Sequence, residues 1–526
     1  MIAIWALATS HSFAPDHQTP LYLQPRAPIA SRVADLIGRM TIQEKVNQLL
    51  GDGWPNIDRV KKDFSATGVG SIGFGVPTIT RLEALNDFQR SMMNTSRLGI
   101  PVAFTAETLH SGQLPQQPHH ASTFVVCALA DPTPPTLNPP MPHPGGHSGC
   151  TVFPMPAGQG SSWNKTLVRL IAESNALQAR ASGTVHGLAP VLNVATDPRF
   201  GRTQECFGED PVLVATMGVA AVTGLQGSDG PRDADSYFGS PQTHVMSQAK
   251  HFGACAAPRL EPTRAPREHR CDGALSRPPS SPGSVDAYGG ADGYSADISE
   301  RTLYERYFLP WLRFASAGGR GAMASHNTIN YEPVHGSYRW MTSVLRHQLG
   351  FGDGFIGADS HNVLALQTSQ HVAASVEDAA VLAVEAGLDQ DLNSLYDTPF
   401  TTLATSSVVN KSAIDRAAAN VLRYKVALGL FEQPFANLSL FPERNSASAQ
   451  RLAREAAAQS MVLLKNDGAL PLKPPQRVLV LGRLANDSAT LLGDYAPQPD
   501  NDTMPVSIYD ALRASPELSG ASFRRV

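Results

Sequence analysis

The chain has no apolar run long enough to cross a membrane. Its net charge of −4 gives no basic surplus for a nucleic-acid surface. The five cysteines show neither metal-ligand spacing nor a disulfide framework. The first residues, Met1-Ile-Ala-Ile-Trp-Ala-Leu-Ala-Thr9, are apolar but lack a basic start. They read as a poor or truncated signal peptide at best. What remains is globular: 42% apolar, 17% charged and, at 526 residues, too long for one ordinary domain. Six Asn-x-Ser/Thr triplets, at Asn94, Asn164, Asn410, Asn437, Asn486 and Asn501, matter only in a secreted protein.

Helical and strand patterns alternate along the chain. Residues 29–50 carry a helical stripe of Val33, Leu36, Ile37 and Met40, and Thr41 with Glu44 has capping-box spacing for a second helix. Strand candidates are 102–105, 188–193, 244–249, 322–325 and 355–358, with helices at 163–181, 211–225 and 376–386 among them. Such alternation predicts a parallel α/β sheet, open or closed into a barrel. Asp359 ends the apolar run 354–358, and a carboxylate at the C-terminal tip of a strand stands where barrel enzymes keep their chemistry. As a structural alternative, the same residue would cap the following helix.

Other motifs surround it: Glu107-Thr-Leu-His110, Thr151-Val-Phe-Pro154, Asp197-Pro-Arg-Phe-Gly-Arg202 followed by Glu205 and Gly208-Glu-Asp-Pro211, Lys250-His251-Phe252, Ser325-His326-Asn327 and Val462-Leu-Leu-Lys-Asn-Asp467. In this order, over most of 29–495, the chain resembles glycoside hydrolase family 3. The resemblance implies a (β/α)8 TIM-type barrel over 29–430 after an N-terminal extension, 1–28. A linker, 431–447, and the beginning of an α/β sandwich domain, 448–526, would follow. Residues 478–481 are expected to be a buried strand opening that second unit. A complete sandwich of this kind needs roughly 150–200 residues, so the second domain is expected to be incomplete here.

The resemblance places the nucleophile at Asp359 and the sugar-binding clamp at Glu107, Arg202, Lys250 and His251. Charged groups suit such a clamp because charge-assisted hydrogen bonds fix a sugar's orientation. Bland alternatives stand beside these roles: a salt bridge from Arg202 to Glu205 or Glu209, and a buried core pair for Lys250 and His251. His326, counted with the substrate-binding residues, stands where the family has a tyrosine that hydrogen-bonds the nucleophile; a purely structural histidine is its bland alternative. Ser360 replaces an aromatic after the nucleophile, which would loosen one wall of the pocket. Asp389 matches a family carboxylate for which a structural role is expected, and Phe200, Trp311 and Met323 read as core.

The family's acid/base, a glutamate of the second domain, is expected beyond Val526. Glu517 has nothing to fix it in place, and the Asp–His loop of a related branch has no counterpart after Lys250-His251-Phe252. Two segments break the rhythm, 113–149 and 255–287, rich in Pro and His and in Pro, Arg and Ser. Removing them leaves uninterrupted family sequence at both joints, which suggests unspliced introns or late insertions; surface loops are the alternative.

The implied function is a retaining, exo-acting β-glycosidase that removes terminal β-linked glucose from oligosaccharides or small glycosides. A β-xylosidase, or a sugar-binding relative impaired in catalysis, is the alternative. This chemistry requires no cofactor and no metal. Secretion is the compartment the resemblance favours.

Overall fold

The computed structural model describes residues 19–52, 56–73, 79–111, 150–197, 200–227, 238–254, 295–296, 298–392, 395–396, 398–472, 477–493, 495–496 and 505–525. The segments 113–149 and 255–287 lie outside the described residues.

Eight parallel strands close into a barrel: β1 (Leu50–Asp52), β2 (Ser71–Gly73), β3 (Ala103–Ala106), β4 (His186–Gly187), β5 (Met246–Phe252), β6 (Gly321–Ala324), β7 (Phe355–Ser360) and β8 (Gln390–Leu392). Each pairs with the next in the chain, and β8 returns to β1 with Leu50 opposite Asp391. This is the (β/α)8 architecture, with every C-terminal strand tip at one mouth.

The barrel interior is polar and hydrogen-bonded. His186 donates through Nε2 to Gln248 Oε1 at 2.6 Å, and Ser71 Oγ donates to Gln390 Oε1 at 2.8 Å. The fully buried Lys425 donates from Nζ to Gln48 Oε1 at 2.7 Å and to the Pro101 carbonyl at 2.8 Å. Backbones approach closely here: a Cβ at Gly70 would lie 2.1 Å from the Gln48 carbonyl oxygen.

Outside the barrel, packing follows the apolar stripes. The helix Ile29–Arg39 buries Val33 and Leu36 with Met40 against Leu422 and Val426 of the helix Lys411–Ala427. A fully buried leucine such as Leu36 contributes about 1.5–3 kcal/mol. The capping box at Thr41 forms: Glu44 N donates to Thr41 Oγ1 at 3.2 Å and Thr41 N to Glu44 Oε2 at 2.8 Å. The helices Lys165–Ala181 and Pro211–Gln226 start at Asn164 and Asp210 caps, and Val376–Ala386 has the bounds read from the sequence. Asn164, Asn410 and Asn437, three of the triplet asparagines, cap helices with their side-chain oxygens.

Two expectations need correction. Residues 188–193 do not form a continuous strand; the ladder covers His186–Gly187, with one further bridge from Val191 to Lys250. Pro190, which has no N–H to donate, interrupts it. The strand Arg477–Val480 exists but is not buried: it pairs in parallel with Ser522–Arg525 alone, and Leu479 and Leu481 are 54% and 65% exposed. Among the described residues it has one neighbouring strand, and its side chains are half-buried or exposed.

Residues 434–436 are held against the barrel: Gln89 Nε2 donates to the Pro434 carbonyl at 3.2 Å, and Asn86 exchanges two hydrogen bonds with the Ala436 backbone. The helix Ala447–Gln459 then buries Ala449 and Ala456 against Leu167 and Ile171.

Candidate active site

Asp359 stands at the tip of β7, on the mouth side. Oδ1 accepts from the Ser360 N–H at 2.7 Å, and Oδ2 faces His326 Nε2 at 3.4 Å and His251 Nε2 at 3.6 Å. Burial alone would raise the pKa of Asp359. His326, through its charge and hydrogen bond, and the Arg202 guanidinium outweigh it and hold the carboxyl far below the usual range. Asp359 is therefore ionised at any ordinary pH.

His251 is fixed by Asn193, which sequence reasoning passed over. Asn193 Oδ1 accepts from His251 N at 3.1 Å and from Nδ1 at 3.0 Å, and Asn193 Nδ2 donates to the His251 carbonyl at 3.1 Å. The ring proton therefore sits on Nδ1, and Nε2 turns toward Asp359. Burial, then the neighbouring charge of Arg202, pushes the His251 pKa well below its ordinary value, so the ring is neutral near pH 7. A polar residue closing the apolar run 188–193 was the available signal.

The loop carrying His326 is pinned on several sides. Asn327 Nδ2 donates to the Gly253 carbonyl at 2.7 Å, Gln370 Nε2 to the His326 carbonyl at 2.9 Å, and Asn362 Nδ2 to the Ala324 carbonyl at 2.9 Å.

Lys250, the neighbour of His251 on β5, donates from Nζ to both oxygens of Glu107, at 2.7 and 2.8 Å, and both side chains are buried. Burial raises the pKa of Glu107 and the Lys250 ammonium opposes it. Arg202 forms a two-pronged pair with Glu205: Nε to Oε1 at 2.8 Å and Nη2 to Oε2 at 2.7 Å. The salt bridge expected as the bland reading of Arg202 is thus real, and Nη2 of the same guanidinium also reaches the Tyr495 hydroxyl at 3.3 Å. No periodicity or motif pointed to Tyr495, which arrives from more than a hundred residues beyond Asp359.

The structure thus gathers Glu107, Arg202, Lys250, His251, His326 and Asp359 at one mouth. Asp389 lies at the opposite end and is structural: Oδ2 accepts from Ile356 N at 2.8 Å and Arg346 Nη2 at 2.7 Å, anchoring the start of β7. Phe200, Trp311 and Met323 are buried. Glu517 is exposed and accepts from Ser515 Oγ at 2.6 Å. Among the described residues no cluster of ligating side chains could hold a metal ion, and no helix is long and apolar enough to cross a membrane.

Comparison with known proteins adds relatives to this geometry. Residues 145–259 and 280–424 match the glycosyl hydrolase family 3 N-terminal domain, and the break falls inside the second irregular segment. A β-xylosidase of Formosa agariphila is 32% identical over 384 residues, covering 70% of this chain and 48% of that protein. A periplasmic β-glucosidase of Salmonella typhimurium is 28% identical over 474 residues, covering 88% and 52%. The solved structure of a β-glucosidase from Erythrobacter marinus superposes with a TM-score of 0.77 at 25% identity, covering 97% of this chain and 59% of that one. The chain spans about half the length of the curated relatives it matches. The family match and these relatives, joined to a barrel with two buried ion pairs beside the carboxylate at the tip of β7, lead to one conclusion: the chain belongs to glycoside hydrolase family 3.

Proposed function

We propose that this protein is a retaining, exo-acting β-glycosidase that removes terminal β-linked glucose from oligosaccharides or small glycosides, with β-xylosides the nearest alternative. The observation that carries the reading is Asp359: an ionised carboxylate at a barrel mouth, faced by His251 and His326 and flanked by buried polar groups suited to sugar hydroxyls.

In this reading an Asp359 oxygen attacks the anomeric carbon, a new C–O bond forms, and the glycosidic C–O bond breaks. The departing oxygen takes up a proton. Water then attacks the same carbon, loses a proton and releases the sugar with its configuration retained. Glu107, Lys250, Arg202 and His251 bind hydroxyls; the bare Nε2 of His251 is an acceptor. His326 keeps Asp359 ionised. The other two carboxylates of the clamp are committed, Glu107 to Lys250 and Glu205 to Arg202, so neither is assigned the proton transfers.

That commitment favours one second reading, a relative that binds a terminal sugar without turning over ordinary glycosides. A dinitrophenyl 2-fluoro-β-glucoside separates the two, because its leaving group departs without protonation. Peptide mapping by mass spectrometry should find the sugar on Asp359. A folded protein that takes no label from the glucoside or the matching xyloside would refute the nucleophile assignment and leave the binding-only reading.

A further inference from the structure

We propose that Tyr495 is a specificity-determining residue of the sugar site: brought in from outside the barrel, its ring closes the clamp of Arg202, Lys250 and Glu107 and limits the size of the sugar that fits. This rests on the glycosidase reading and deepens it.

Three contacts place the ring. Its hydroxyl oxygen accepts from Arg202 Nη2 at 3.3 Å, Lys250 Nζ lies 4.7 Å from the ring centroid, and Arg202 Cζ lies 5.8 Å from it. Both cations fall within the distance at which an aromatic face attracts charge. Apolar support comes from below, where the ring packs on the cluster of Leu109, Val191, Phe200 and Cys206.

The backbone is shaped to deliver the side chain. Gly493 at φ 73° and Tyr495 at φ 55° both adopt left-handed geometry, which is costly for tyrosine. At Gly493 a Cβ would lie 2.8 Å from Met155 Sδ, so this turn is pressed against the segment leading into the helix Pro156–Ser161. A residue held in an unfavourable conformation, with its polar tip on the clamp arginine, is placed there by the surrounding packing.

Chemistry follows from that position. Burial lifts the phenol's pKa well above its ordinary value, so the hydroxyl stays neutral. Its oxygen accepts from Arg202, which leaves its proton to donate to a sugar oxygen. The ring itself is a rigid wall. Walls of this kind discriminate by size, and one extra carbon substituent is worth about 10–200-fold in selectivity.

The test uses the full chain with Tyr495→Ala and Tyr495→Phe, each checked for folding by thermal denaturation. Rates of labelling at Asp359 are compared for dinitrophenyl 2-fluoro-β-glucoside and its xyloside counterpart. In Tyr495→Ala the glucoside-to-xyloside ratio should rise by about tenfold or more, because removing the wall frees room for the hydroxymethyl group. In Tyr495→Phe the ratio should stay within about threefold while both rates fall, since only the hydroxyl is lost. An unchanged ratio in a folded, labelled Tyr495→Ala protein overturns the proposal and leaves the glycosidase reading intact. Absence of label from all three proteins overturns both.

Discussion

At Asp359 two effects of opposite sign meet, and the magnitudes decide which wins. Burial disfavours its charge, yet His326 and the Arg202 guanidinium reverse that. The expected outcome is a labelling rate at Asp359 that shows no carboxylate-type fall between pH 7 and pH 5. In His326→Phe one source of depression is gone, the pKa of Asp359 rises, and the rate should begin to fall at a higher pH. On the proposed reading, Asp359→Asn should lower the rate of labelling by the activated fluoro-glucoside by about a thousandfold or more. Glu107→Gln tests the clamp: it strands the Lys250 ammonium in a buried place and should cost about 3–5 kcal/mol in urea unfolding. His186 makes a separate prediction about stability. Burial lowers its pKa from 6.5 to about 4, so the unfolded chain binds more protons than the folded one between those values. Stability therefore falls as pH drops through that window, by about 3 kcal/mol at most from this group, and His186→Gln should flatten the slope.

At the scale of elements, long periodic segments were legible and short ones were not. The stripe of Val33, Leu36 and Met40 marked its helix, and Thr41 with Glu44 marked the next. Thr41→Ala should cost about 1 kcal/mol by thermal melting, through loss of the cap. Strands β1, β2 and β8 went unread because each has three residues, two of them contain glycine, and β8 places Gln390 and Asp391 inside the barrel wall. Short, polar, two-sided strands carry no alternation to detect. The motif residues of the site were legible through Asp359, Lys250, His251 and Arg202. Asn193 and Tyr495 were not, since their roles exist only once β5 and the segment at 493–496 reach the same mouth.

For the whole molecule, the described residues beyond 460 differ from the barrel. Met461, Leu464 and Leu481 are 78%, 92% and 65% exposed, and the parallel pair Arg477–Val480 with Ser522–Arg525 has no further strand beside it among the described residues. Exposed apolar side chains and open sheet edges favour association. Sedimentation velocity should show concentration-dependent self-association of this chain, and Leu464→Glu combined with Leu481→Lys should weaken it.

The pairing inside the clamp sets the electrical character of the mouth. Lys250 pairs with Glu107 and Arg202 with Glu205, so the Asp359 carboxylate is left facing the imidazoles of His251 and His326 instead of a lysine or arginine partner of its own. A half-buried carboxylate held by imidazoles and not by a full ion pair attracts a cation placed beside it. Basic ring-nitrogen analogues of sugars should therefore outbind their neutral counterparts here, and lose that advantage in Asp359→Asn.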